Sequence, residues 1–182
     1  MRSGARSFLG LSLIWLLLAA VGGRAQESPP TEYQIKAAFL FNFAKFVEWP
    51  TAAFVGVTSP IVIGILGENP FRDDLARTIR NKTIDEHPLE IKELRSPTEA
   101  TNCHILFIST SEKKRLPEIL KGLKGTSVLT VGEMDRFTES GGMINFVLKG
   151  KKIRFQINND EATRAGLKIS SKLMSLALPP GG

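Results

Sequence analysis

The sequence predicts an α/β fold with a mostly parallel sheet, helices on both faces of that sheet, and a C-terminal antiparallel hairpin at its edge. The continuously apolar run at 61–66 is typical of a parallel strand that is buried on both faces, and the mostly apolar segments at 104–109 and 128–131 predict two more strands. Segments with helical patterns separate these runs, which gives the alternating order of an α/β protein. Apolar and polar residues then alternate over 143–157, and this pattern predicts a hairpin with one buried face.

The first predicted element is a helix over residues 32–48, because no Gly or Pro interrupts it before Trp49-Pro50. An amphipathic helix needs only one apolar face. Leu40 and Phe41 fall outside the expected core stripe, so either the helix is buried on two sides or these two residues contribute to a dimer contact. The expected stripe consists of Ile35, Phe39, Phe43, Phe46 and Val47.

The elements between the apolar runs follow in order, and each has its own local signal. Asn158 is expected to cap a further helix, with Glu161 as its reciprocal partner. Gly166 can end that helix, and Ser170 can cap another that runs to Ala177. The remaining predictions are a helix at 70–80, a weaker strand at 89–94, a short helix or turn at 96–102, a helix at 111–123 and a helical turn at 135–140.

Residues 1–25 have the pattern of a secretory signal peptide. Arg2 and Arg6 form a basic start, residues 9–21 are apolar, and a small-x-small site ends at Ala25. The apolar run has about 13 residues, whereas a membrane-spanning helix needs roughly 20. We therefore expect cleavage after Ala25 and export, so that the protein works outside the cytoplasm.

Export from the cytoplasm argues against functions that depend on cytosolic nucleotides. The mature protein is expected to begin near Gln26 and to be soluble, with 26–31 as a disordered lead-in and 32–178 as one domain. It would have no supply of cytosolic ATP, GTP or NADH. Loss of the three arginines of the signal peptide lowers the formal net charge from +6 to +3. A surface so mildly basic gives no indication of a nucleic-acid partner.

No catalytic set, metal site or cofactor site is expected. Cys103 is the only cysteine, so it is either a small core residue or the half of an intermolecular disulfide. The two histidines, His87 and His104, form no cluster with the spacing of metal ligands. The nucleophile elbow of serine hydrolases is also absent from the sequence.

The turn formed by Gly67, Glu68 and Asn69 supports an alternative function. It follows a predicted strand and opens a predicted helix, which is where α/β sheets bind phosphate groups. The dinucleotide fingerprint and the P-loop lysine are both missing. The segment is therefore either a simple tight turn or the ligand loop of a periplasmic small-molecule binding domain.

Two blocks of sequence resemble a known family. They are YQIKAAFLFNFAKFVEWP at 33–50 and INNDEATRAGLKISSKL at 157–173. Between them lie the strand and turn at 63–67 and the segment GMINF at 142–146. Together these motifs are similar to those of the YfiR family of exported bacterial proteins, over about residues 32–177.

The resemblance implies a periplasmic, non-enzymatic α/β regulator that tends to form homodimers. The best-known member of that family binds the periplasmic region of an inner-membrane diguanylate cyclase and holds the enzyme inactive. An outer-membrane lipoprotein sequesters the regulator in turn, so the implied output is control of cyclic-di-GMP, biofilm and motility. Some members contain disulfides, which have no counterpart here because Cys103 is alone.

Five residues are predicted to contact the partner. Lys45, Glu48 and Trp49 lie at the end of the first helix, and Asn158 and Arg164 follow the hairpin. The charged residues lie on amphipathic elements, and tryptophan is enriched at binding hot spots. The alternative roles are ordinary ones: Lys45 and Arg164 as solvated charges, Trp49 as a core residue and Asn158 as a helix cap.

Overall fold

Seven strands form one sheet in the computed structural model, which describes residues 29–179. Five of them are parallel, and the two edge strands run antiparallel to their neighbours. From one edge to the other the sheet contains β3 (Thr83–Ile84), β4 (His87–Leu94), β2 (Ile61–Leu66), β5 (Ile105–Ile108), β6 (Leu129–Gly132), β7 (Ile144–Lys149) and β8 (Lys152–Ile157). The predicted fold class, including the antiparallel hairpin at the C-terminal edge, is confirmed.

A second, two-stranded sheet pairs β1 (Val47–Glu48) with β9 (Lys168–Ile169) in antiparallel register. Five α-helices accompany the two sheets in the described residues. They are α1 (Glu32–Phe46), α2 (Asp74–Ile79), α3 (Leu116–Gly122), α4 (Asn159–Arg164) and α5 (Ser171–Met174), and short 3₁₀ segments span Thr51–Ala53, Pro97–Asn102 and Thr110–Arg115.

The central strands are buried on both faces, as their continuous apolar sequences require. In β2, Ile63 and Ile65 pack into a core that also includes residues of α1, α2 and β8. Val62 and Leu66 point to the opposite face and pack into a second core that includes residues of α3. The alternation follows from the two-residue period of a strand, and β5 likewise contributes Ile105 and Phe107 to the first core and Leu106 and Ile108 to the second.

Several predicted helical segments differ from the structure. The first helix ends at Phe46, two residues earlier than expected, and the last ends at Met174 and does not reach Ala177. The segment at 70–80 is α-helical only from Asp74, because Arg72 has a positive φ of 50°. The segment at 135–140 forms turns instead of a helix, and Arg136 there has a φ of 59°. The segment at 111–123 begins as 3₁₀ helix and becomes α-helical at Leu116. A left-handed residue prevents a continuous α-helix at 70–80 and at 135–140.

Helix α1 is buried along a different stripe from the one expected. Its buried residues are Lys36, Ala37, Leu40, Phe43 and Ala44. Ile35, Phe39 and Phe46, which were expected in the core, are only half-buried. The helix packs against α2, α5 and β8, so neighbours on several sides shift and widen the buried face. The predicted signal peptide and residues 26–28 lie outside the described part of the chain.

Candidate functional site: the C-terminal end of α1

The end of α1 leads directly into the two-stranded sheet. Val47 pairs with Ile169 and Glu48 with Lys168. The N–H of Ser170 donates to the carbonyl of Phe46 at 3.0 Å and continues this pairing by one more bond. Residues from the two family-like sequence blocks are therefore neighbours in space. Sequence reasoning did not predict this pairing, because strands of two residues carry too few positions for an alternating pattern.

Basic side chains and an aromatic ring share this surface. The ammonium of Lys45 lies 5.8 Å from the ring centroid of Phe46, and that of Lys172 lies 5.2 Å from the same centroid. Both lysines are exposed, as are Glu48 and Lys168. The surface thus offers cationic groups around a half-buried aromatic ring, with one carboxylate at its margin. We call these five residues the α1-end surface.

Trp49 holds the chain against the sheet. Its indole N–H donates to the carbonyl of His104 at 3.2 Å, and its ring meets the His104 imidazole edge-on at 5.9 Å between centroids. The side chain is half-buried and packs on the main core. Trp49 therefore positions the segment that follows α1, and only part of its ring is available to a partner.

Asn158 and Arg164 lie at opposite ends of α4 and line different hollows. The Asn158 side chain caps α4 by accepting from the Glu161 N–H at 3.2 Å, and its amide donates to the Thr138 carbonyl at 2.9 Å. Arg164 is exposed and forms an ion pair with Glu161. The capping role predicted for Asn158 is confirmed, and the two residues belong to separate places on the surface.

The prediction that Leu40 contributes to a dimer contact is wrong. Its side chain is fully buried in the main core, at 0% exposure, because it lies on the stripe of α1 that faces the sheet. Phe41 is half-buried, and the Lys82 ammonium lies 4.4 Å from its ring centroid. The surplus apolar residues of α1 are thus mostly accounted for by burial within this chain.

Comparison with known families identifies the family of this chain. The sequence model of the YfiR/HmsC-like family matches residues 33–178, from the first turn of α1 to the last described turn. The chain belongs to the YfiR/HmsC-like family. That family consists of periplasmic regulators of cyclic-di-GMP signalling and is not known as a family of enzymes. Within residues 29–179, no helix combines the length and the apolarity needed to cross a membrane.

The loop at 67–69 of this YfiR/HmsC-like chain uses its polar groups internally. The Glu68 N–H donates to the Ser111 hydroxyl at 3.0 Å. Asn69 accepts from the Phe71 N–H at 2.9 Å and donates its amide to Glu93 at 2.6 Å. Gly67 has a φ of 89°, and a Cβ there would lie 2.9 Å from Cγ of Glu112. These contacts favour the tight-turn interpretation, because the Glu68 N–H, the Phe71 N–H and the Asn69 side chain are already bonded within the chain.

Cys103 lies in the second core and is 5% exposed. Burial raises the pKa of its thiol to about 11, so the reactive thiolate is disfavoured at neutral pH. A Cβ on Gly64 would lie only 2.6 Å from the sulfur, which shows how closely the thiol packs against β2. The core-residue prediction is confirmed, and a sulfur so buried has no access to a second chain.

Sequence analysis missed a buried ionic cluster. Lys36 of α1 forms ion pairs with Glu32 and with Glu133, which follows β6. The Tyr33 hydroxyl donates to the same Glu133 carboxylate at 3.2 Å. Burial acts to lower the pKa of Lys36, but its bonds to the two carboxylates raise that pKa above the usual value. The sequence held no signal for this cluster, because Lys36 lies four residues before Leu40 and both fall outside the stripe that the sequence predicts.

A second missed cluster contains both histidines of the chain. The Phe54 ring stacks on His87 at 4.3 Å and tilts against His104 at 4.6 Å between centroids. Nδ1 of His104 accepts from the Val62 N–H at 3.1 Å, whereas Nε2 has no hydrogen-bond partner within the described residues. Burial lowers the pKa of His104, although the backbone carbonyl of Ala53 acts in the opposite direction.

Proposed function

We propose that the protein represses an inner-membrane diguanylate cyclase by binding the cyclase's periplasmic region, without catalytic turnover. The observation that carries this proposal is the family match over residues 33–178, because that family suggests a periplasmic regulator of cyclic-di-GMP signalling. Our proposal adds two statements to the family match: the direct target is a diguanylate cyclase, and the effect on that enzyme is repression. We further propose that the regulator acts as a homodimer and that an outer-membrane lipoprotein relieves repression by sequestering it.

The α1-end surface is our candidate for the contact with the cyclase. Lys45 and Lys172 present their ammonium groups 5.8 and 5.2 Å from the centroid of the half-buried Phe46 ring, and Lys168 adds a third positive charge. Such a surface fits a partner that carries carboxylates around an apolar centre, because complementary charges steer association and fix its register. Glu48 lies beside Lys168 and would face a basic group of the partner.

The other predicted contact residues are expected to contribute less to binding of the cyclase. Trp49 is half-buried, and its indole N–H is already bonded to the His104 carbonyl, so only part of its ring can reach a partner. Arg164 is exposed at the end of α4, near the start of β9, and can extend the contact. Asn158 is committed to capping α4, so we expect its replacement to affect stability first. Phe41 is the one residue of the predicted dimer contact that retains exposed surface.

The test is genetic and biochemical. Deletion of the gene in its host should raise cyclic-di-GMP, and complementation with the wild-type gene should restore the lower level. A charge-reversed variant, Lys45→Glu with Lys172→Glu, should fold normally because both side chains are exposed, yet fail to restore repression. Lys151→Glu is the matched control, because Lys151 is an exposed lysine in the turn between β7 and β8.

Two results would contradict the proposal. Unchanged cyclic-di-GMP after deletion, together with no GGDEF-containing membrane protein recovered by pull-down, would favour solute binding instead. Full repression by the Lys45→Glu, Lys172→Glu variant would leave the cyclase as a target but remove the α1-end surface from the contact. The Lys151→Glu control separates this second result from a general effect of adding negative charge.

A further inference from the structure

The hairpin formed by β7 and β8 concentrates positive charge at its turn. Four exposed basic residues lie within six positions: Lys149, Lys151, Lys152 and Arg154. No Asp or Glu occurs between Glu139 and Asp160. The segment 149–154 therefore carries a formal charge of +4, whereas the rest of residues 26–182 carries a net charge of −1. The net positive charge of that part of the chain thus comes from this one place.

The hairpin carries these charges beyond the end of the neighbouring strand. The last residue of β6 is Gly132, and it pairs with Asn145 of β7. The remaining four residues of β7, at about 3.3 Å each, extend the hairpin by about 13 Å past that pair. Lys149 and Lys152 form the final cross-strand pair before the turn. The charges therefore lie at a projecting tip, which can reach a broad surface without a groove.

The acids nearest to the hairpin are already paired within the chain. Asp135 and Glu139 line a hollow together with Leu148 of β7. Asp135 lies 3.9 Å from Lys113, and Glu139 forms an ion pair with Arg136 at 2.6 Å. Among residues 29–179, no carboxylate forms an ion pair with any of the four hairpin cations. Their attraction for anions is therefore available to another molecule.

This arrangement of charges does not stabilise the hairpin. Lys149 and Lys152 lie directly opposite each other, and like charges in such a pair are destabilising. Charges on an edge strand can prevent aggregation, which would explain those on β8. Two of the four cations lie outside β8, since Lys149 belongs to β7 and Lys151 to the turn. A cluster that opposes folding and exceeds edge protection indicates a binding role.

Three of the four cations share one face of the hairpin. Lys149 and Lys152 are cross-strand partners, and Arg154 lies two residues further along β8 on the same face. The Arg154 guanidinium donates to the Leu176 carbonyl at 3.3 Å, a neutral acceptor that leaves its charge unpaired. The two strands contribute one apolar side chain to this face, the half-buried Val147 opposite Arg154. The face is thus cationic and has no aromatic ring from either strand.

An anionic lipid surface fits such a face better than an acidic protein does. The centres of protein interfaces are apolar and enriched in aromatic residues and Arg, whereas Lys is depleted there. This cluster has the opposite composition, with three lysines to one arginine. Lysine is a flexible point charge that needs no fixed partner geometry, which suits mobile headgroups. Polybasic segments bind anionic lipids through summed charge and need no apolar centre.

We propose that the β7–β8 hairpin docks the protein on an anionic phospholipid surface that faces the periplasm. The contact is electrostatic and reversible, and rising salt weakens it. It holds the regulator close to membrane proteins. The inference does not rest on the function proposed above, and repression of the cyclase through the α1-end surface does not require it.

Vesicle flotation tests the docking. Residues 26–182 should float with vesicles of phosphatidylcholine that contain about one third phosphatidylglycerol, and should not float with phosphatidylcholine alone. The triple variant Lys149→Glu, Lys151→Glu, Lys152→Glu should fold normally, because all three side chains are exposed. Its partition coefficient on the anionic vesicles should fall at least about a hundredfold, since each Lys near an anionic surface contributes about fivefold.

The matched control is Lys92→Glu, Lys121→Glu, Lys124→Glu, which changes the net charge equally at exposed positions outside the hairpin. It should lose much less binding. Equal losses in the two triple variants would reduce the effect to net charge and overturn the hairpin contact. Equal flotation with neutral vesicles would also overturn it, as would displacement by soluble glycerol phosphate at the concentration of accessible headgroups, which indicates a site for free phosphate.

Absence of flotation with the anionic vesicles would overturn the proposal outright. An acidic protein that is retained by the wild type but not by the hairpin variant would then be the class of partner. Because the experiment contains no cyclase, none of these results depends on whether the protein represses one.

Discussion

Removing the charge of Lys36 should destabilise the protein severely, because it leaves a buried carboxylate without its partner. The side chain of Lys36 is 5% exposed and that of Glu133 is 9% exposed, so neither is solvated. Without the ammonium, the hydroxyl of Tyr33 is the one side-chain donor that Glu133 keeps among residues 29–179. Glu32 is 48% exposed and water can solvate it. The loss in free energy of unfolding caused by Lys36→Met should therefore come from the buried Glu133 carboxylate, which is left without its ammonium partner.

The expected magnitude follows from that burial. Breaking a buried ion pair by removing one partner costs about 3–5 kcal/mol, whereas replacing both partners by uncharged groups of similar size is often close to neutral. A domain of this size has a free energy of unfolding of about 5–15 kcal/mol. Lys36→Met alone should thus remove a large share of the stability, and adding Glu133→Gln should restore most of it.

The assay is urea unfolding of residues 26–182. Trp49 is the only tryptophan in that part of the chain, and its contact with His104 makes its fluorescence sensitive to unfolding. Arg136→Ala is the control, because it breaks the exposed pair with Glu139 and should cost less than about 1 kcal/mol. A loss below about 1 kcal/mol for Lys36→Met, or no recovery on adding Glu133→Gln, would refute the reasoning.

Two further predictions concern the second histidine and the α4 cap. Burial holds the pKa of His104 below its usual 6.5, so the unfolded chain takes up the proton first. The contribution of His104 to stability should be complete above about pH 6.5 and decline as the pH falls below it. Unfolding midpoints measured from about pH 7.5 to 5.5 should show this decline in wild type and His87→Asn but not in His104→Asn. Asn158→Ala should lower the free energy of unfolding by about 1 kcal/mol through loss of the cap, and an unchanged midpoint would contradict the capping role.

The strongest local patterns predicted the fold well. The strand at 61–66 has the predicted bounds, because a continuous apolar run between Pro60 and Gly67 is both a burial signal and a length signal. The hairpin also lies where the alternating pattern predicted it, and β7 pairs with β8 across the turn that contains Gly150. Asn158 signalled its capping role by residue type and spacing alone.

The errors arose where distant parts of the chain decide burial. Leu40 falls outside the core stripe that the sequence of α1 predicts, but α2, α5 and β8 cover the helix from several directions and bury it. The pairing of β1 with β9 joins residues more than a hundred positions apart through strands of two residues. Strands that short carry no usable periodicity, so only the assembled fold reveals them.

The sequence by itself determined the α/β class, the central strands, the terminal hairpin and the motifs by which the family could be suggested. These properties are local, because hydrophobic period, turn residues and caps act over a few positions. The tertiary structure alone decided which charges are buried and which apolar residues are left outside. Lys36 meets Glu133 across 97 positions, and Phe54 meets both histidines from separate elements. Such contacts depend on distances in space, and a local sequence pattern contains no information about them.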